Sequence, residues 1–64
     1  MDAILMLAQA DEFDAAIELA DKLYPEMEDI EWGHGWDIGE GYHIRVAACE
    51  SWLEKDGEII LRSL

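Results

Sequence analysis

The hydrophobic period of this chain changes at Pro25, and that change limits the folds open to it. Before Pro25, Phe13, Ala16, Ile17, Ala20, Leu23 and Tyr24 recur at steps of three and four, the pattern of a helix with one apolar face. After it, Ile30, Trp32, His34, Trp36 and Ile38 alternate with Glu31, Gly33, Gly35 and Asp37, the period of a strand with one buried face. Pro25 has no backbone N–H to continue a helix, so it divides the two regimes.

Within the helical part, Asp2 suits an N-cap and Ile4, Leu5, Leu7 and Ala8 follow with helical spacing. A second helix starts at Asp11 or Glu12, where acids favour the positive dipole end, and runs to Tyr24. A continuous helix over 2–24 is the alternative, because no Gly or Pro intervenes. In the second part, Gly39-Glu40-Gly41 marks a turn, Tyr42, Ile44, Val46 and Ala48 continue the alternation, and Lys55-Asp56-Gly57 marks a hairpin leading to a strand over 58–64. Ile44, Ala47, Ala48, Ser51 and Trp52 also fit a helix ending at Gly57. The strand is preferred for 44–55, since it gives the two flanking strands a common partner. The expected fold is α+β: one compact domain over 1–64, with two N-terminal helices packed on a three-stranded antiparallel sheet.

A chain of 64 residues buries about 60% of the surface its unfolded form exposes. Such a small core argues against a deep catalytic cleft, and a second copy of the chain is one way to enlarge it. At 52% hydrophobic residues, the chain is too apolar for a disordered acidic tail. Sixteen acids face four Lys and Arg, a net charge of −12, where solubility alone asks for a magnitude of about 2–8. Like charge repels itself in a compact state, so a small domain that carries this much has a use for it. Direct binding to nucleic acid is excluded by phosphate repulsion, and a basic protein surface is the natural partner. No stretch approaches the ~20 apolar residues of a membrane span. A lone cysteine, Cys49, and the lack of a signal-like N-terminus fit a reducing cytoplasm.

The acids are unevenly placed. Residues 1–40 hold twelve acids against one base, Lys22, for −11; residues 41–64 hold four against three, for −1. Asp11, Asp14, Glu18 and Asp21 are spaced by three, four and three, which on a helix gathers them on one face. Glu26, Glu28, Asp29 and Glu31 follow in a polar segment. These eight are the candidate partner-binding residues. Asp14 and Glu18 repel at i, i+4, and only Lys22, four residues after Glu18, relieves the row.

Signals for chemistry are weak. His34, Asp37, His43 and Cys49 have no diagnostic metal spacing, and in a strand His34 and Asp37 point to opposite faces. His43 is expected on the open sheet face. No catalytic motif or phosphate loop occurs, and the glycines at 33, 35, 39 and 41 have acidic neighbours that repel phosphate. No enzyme activity, cofactor or metal is assigned. Trp32 and Trp36 share a strand face with His34; core packing is preferred over an interface anchor, because a small domain needs its aromatics inside.

In size, charge and the acidic row of Asp11, Asp14, Glu18 and Asp21 with the Glu26 to Glu31 cluster, the chain resembles the small acidic phage proteins that act against bacterial defence, anti-CRISPR and anti-restriction DNA mimics among them. The resemblance implies an inhibitor in the bacterial cytoplasm that occupies the basic nucleic-acid-binding site of a complex such as a CRISPR effector. The alternative is an acidic adaptor or interaction module for a basic partner, which calls for an apolar centre with a charged rim. Locally, Ala10-Asp11-Glu12-Phe13-Asp14-Ala15-Ala16-Ile17 resembles the turn and second helix of a tetratricopeptide unit. About half of one repeat is present where a solenoid needs at least ~3, so the likeness implies a helical hairpin only.

Overall fold

The computed structural model describes residues 2–63. The side chain of Asp2, expected as a cap, and Leu64, expected at the end of a strand, lie outside the described residues. Two helices, α1 (Asp2–Gln9) and α2 (Phe13–Leu23), precede β1 (Glu28–Ile30), β2 (Gly33–Gly39), β3 (Tyr42–Ala47), β4 (Ser51–Lys55) and β5 (Glu58–Arg62). The strands form one antiparallel sheet in chain order. The fold is α+β with two helices on an antiparallel sheet, and the expected three strands are five.

Both extra strands come from turns that no glycine or asparagine announces. The single strand expected from Ile30 to Ile38 is a hairpin, bent at Glu31 and Trp32 with Ile30 opposite Gly33. Neither turn residue has a positive φ, so neither needs the residue types that mark left-handed turns. The segment 44–55 is strand, as preferred, but it folds back at Ala48 and Cys49, where the Ala47 N–H donates to the Glu50 carbonyl at 2.9 Å. The announced turns form where expected. Asp56 and Gly57 take φ of 51° and 85°, the pair of positive values that a two-residue hairpin needs to match strand twist.

The two helices are separate, joined at Asp11. The Glu12 N–H donates to the Leu7 carbonyl at 2.8 Å and the Asp11 N–H to the Ala8 carbonyl at 3.0 Å, the paired bonds of a Schellman ending. Asp11 holds the left-handed position of that ending, with φ 61°; aspartate tolerates it better than most residues. Asp11 therefore precedes α2 instead of standing on its face. Glu12 occupies the N-cap without a side-chain cap bond.

The core lies between the helices and one face of the sheet. Ile4 and Ala8 of α1 and Phe13, Ala16 and Ala20 of α2 pack on Trp36, Ile38, Ile44 and Leu53. Trp36, Ile44, Leu53 and Leu61 are successive cross-strand partners on β2 to β5, so one apolar row runs across four strands beneath the helices. Leu23, assigned by its spacing to the apolar stripe, is half exposed at the end of α2. Trp32 also departs from the expected core position. It is 53% exposed, because the hairpin turn lifts it off the strand, and it lies against Trp52 with ring centroids 4.8 Å apart. No helix among the described residues is long and apolar enough to cross a membrane.

Candidate acidic interface

The two sides of the molecule treat their charges differently. On the sheet face away from the helices, Arg45 is opposite Trp52 on β4 and Gly35 on β2, and Glu28 on β1 is opposite Gly35 in turn. Neighbouring strands are about 4.8 Å apart, so Arg45 has to cross β2 to reach β1. Gly35 leaves it the space: a Cβ there would sit 2.7 Å from Arg45 Cδ. The guanidinium meets Glu28 at 3.0 Å and, from its other side, Glu54 at 3.7 Å. His43 stands 3.8 Å from both Glu28 and Asp37. Trp52 donates its indole N–H to Glu54 at 2.8 Å. Arg62 pairs with Glu50 at 3.4 Å. Lys55 reaches Asp56 at 3.9 Å, donates to the Glu40 carbonyl and lies 4.3 Å over the Tyr42 ring.

The helix side has no such pairing. Asp14, Glu18 and Asp21 are exposed on α2, and among the described residues none has a cationic partner. Lys22 makes no ion pair with Glu18, so the relief expected from the i, i+4 spacing is not formed. From Asp14 to Asp21 the carboxylates climb about 10 Å of helix axis. Asp11, exposed on the interhelix link, and Glu26, Asp29 and Glu31 beyond Pro25 are likewise unpaired. Of the eight expected residues, seven are exposed without a counter-charge, and Glu28 alone is taken up by Arg45 and His43. The segment expected as polar loop holds β1, and that strand is what turns Glu28 toward the sheet cations. The cations the chain possesses are spent on the sheet, apart from Lys22, and −9 of the net −12 is left on residues 1–31.

The residues weighed as metal ligands are dispersed. His34 edges against Trp36 with ring centroids 5.3 Å apart, His43 and Asp37 are cross-strand partners on the open face, and Cys49 is exposed in the β3–β4 turn. Among the described residues no three His, Cys, Asp or Glu side chains are placed to hold a metal ion together. Comparison with family models, curated proteins and solved structures yields no match to this chain.

An uncompensated row has a measurable thermodynamic consequence. Each like-charge i, i+4 contact costs about 0.2–0.5 kcal/mol, and salt screens exposed charges over about 10 Å at 0.1 M. Thermal unfolding followed by circular dichroism should therefore show the midpoint rising by about 2–4 °C between low and high NaCl, the shift worth roughly 0.5 kcal/mol in a domain this small. A midpoint that stays level or falls would mean that the row does not strain the fold.

Proposed function

We propose that this protein is a non-catalytic inhibitor that occupies the basic nucleic-acid-binding site of another protein, with a bacterial defence complex in the cytoplasm as the target class. The observation that carries the reading is the segregation of charge: among the described residues every ion pair lies on the sheet, and the carboxylates along α2 and the following segment, Glu28 apart, have no cationic partner. A chain built only to stay soluble would intersperse both signs over its surface. Here a helix holds a line of negative charges at steps of about 4.5–6 Å along its axis, and a duplex strand presents phosphates every ~3.4 Å of axis. A channel lined with Lys and Arg accepts either. The encounter is steered electrostatically, so association is fast at low salt and slows as ions are added.

The test is competition against labelled duplex DNA for a purified CRISPR surveillance complex, at about 50 and 200 mM salt, a range over which phosphate contacts weaken steeply. The expected result is displacement of the duplex that is strong at the lower salt and weak at the higher. Binding to the complex without displacement would replace inhibition at the nucleic-acid site with the adaptor reading, and no binding at either salt would overturn both for that target.

A further inference from the structure

The link from α2 to β1 keeps large apolar side chains in water. Leu23 is 54% exposed and Met27 50%, with Pro25 exposed between them. Together with Tyr24 they line an open groove whose remaining wall is made of carboxylates, those of Glu26, Glu28 and Asp37. Two of these carboxylates are held in place. Glu28 is fixed by Arg45 at 3.0 Å and His43 at 3.8 Å, and Asp37 accepts the Gly39 N–H at 3.0 Å. Glu26 has no partner among the described residues. An apolar strip beside a charged rim is the anatomy of a protein-binding surface.

We infer that this groove receives a segment of the partner protein in which an arginine or lysine stands beside a large apolar side chain. The cation meets Glu26, Glu28 and Asp37, and the apolar neighbour covers Leu23, Pro25 and Met27. Charge complementarity selects this occupant over a second copy of the chain, which brings the same −12 to an already acidic groove. The inference deepens the proposed function and rests on its premise that the partner is a basic protein. It adds a short-range apolar contact to long-range steering by the acidic row.

The probes are two capped peptides with equal numbers of arginines, one alternating Arg with Leu and the other Arg with Ser, each titrated into ¹⁵N-labelled protein. Equal charge cancels the contribution of the acidic row. The Arg–Leu peptide is expected to bind at least about tenfold tighter, the scale set by burying leucine side chains. Its amide shifts should centre on residues 23–28 and Asp37. Replacing Leu23→Ser together with Met27→Ser leaves the net charge unchanged and should bring the two affinities together. Both positions are half exposed, and the comparison of the two peptides on the natural sequence stands independently of that variant. Equal binding of the two peptides, or shifts confined to the Asp14–Asp21 face, would overturn the groove. Equal peptide binding with duplex displacement intact removes the groove alone, whereas selective peptide binding without duplex displacement removes the inhibitory reading alone.

Discussion

Gly33→Ala is expected to remove about 3 kcal/mol of stability, at the upper end of the cost of overpacking, from a chain whose length implies roughly 3–10 kcal/mol in total. A Cβ at this position would press into the carbonyl oxygen of Val46, and would lie 3.0 Å from the Val46 carbonyl carbon and 3.1 Å from the Ala47 Cα. All three are backbone atoms of β3, so no side-chain rotation relieves the clash. Gly33 is also opposite Ile30 on one side and Ala47 on the other. Any shift that admits the methyl group loosens both ladders. Gly57 provides the control. A Cβ there meets nothing within 4 Å, but φ is +85°, so the same substitution costs only about 1–2 kcal/mol of left-handed strain. Urea unfolding followed by tryptophan fluorescence and far-ultraviolet circular dichroism compares the two. Equal costs would mean that β3 does not press on Gly33.

That contrast shows what the sequence makes legible. Gly57 sits in Lys55-Asp56-Gly57, a local signal whose meaning depends on its own φ, and the hairpin is where the signal places it. The change of period at Pro25 likewise separates helices from sheet correctly, because periodicity reports a buried face element by element. Gly33 and Gly35 are different. Their reason lies on another strand, in the Val46 backbone and the Arg45 side chain, and nothing within a few residues of them states it. The same holds for the two unannounced hairpins at Glu31-Trp32 and Ala48-Cys49. Their turn residues have no positive φ; alternation runs across the first with no break to read, and around the second the run of Val46 to Cys49 fits helix and strand alike.

The acidic surface was legible to the same degree and for the same reason. Asp14, Glu18 and Asp21 are exposed together because helical spacing puts them on one face. Asp11 fell outside the helix because the Schellman ending of α1 needed a left-handed residue there. Glu28 stays exposed but is paired with Arg45, 17 residues away in sequence, a contact that no local pattern predicts. Leu23 reads as core because it closes the apolar stripe of α2, and the chain leaves the helix layer at Pro25 before it can be covered; Met27 falls between the two periodic regions, where no pattern assigns it a face.

Reversing two charges on α2, Asp14→Lys with Glu18→Lys, is expected to abolish inhibition while the fold survives. Both side chains are exposed and unpaired, so neither substitution empties the core or strands a buried charge. The repulsion between them at i, i+4 persists with its sign inverted; a lysine at position 18 also faces Lys22, and the first turn of α2 loses its acid, which together cost about 0.5–1.5 kcal/mol and leave the fold in place. Against a basic channel the effect is large. Close interfacial charge pairs couple by about 1.5–7 kcal/mol, so turning two attractions into repulsions raises the inhibition constant by roughly a hundredfold or more. Net charge alone also falls, from −12 to −8, and that would slow any electrostatic encounter. The variant Glu50→Lys with Glu58→Lys separates the two effects. It makes the same change in net charge on the sheet, and the Arg62 pair it breaks is an exposed one, worth about 0–1 kcal/mol. Duplex displacement by both variants then reads the location of the active charge. Strong inhibition by the sheet variant with none by the α2 variant assigns the binding surface to the row. Equal loss in both would assign the activity to total charge, and retained inhibition by the α2 variant would remove the row from the mechanism.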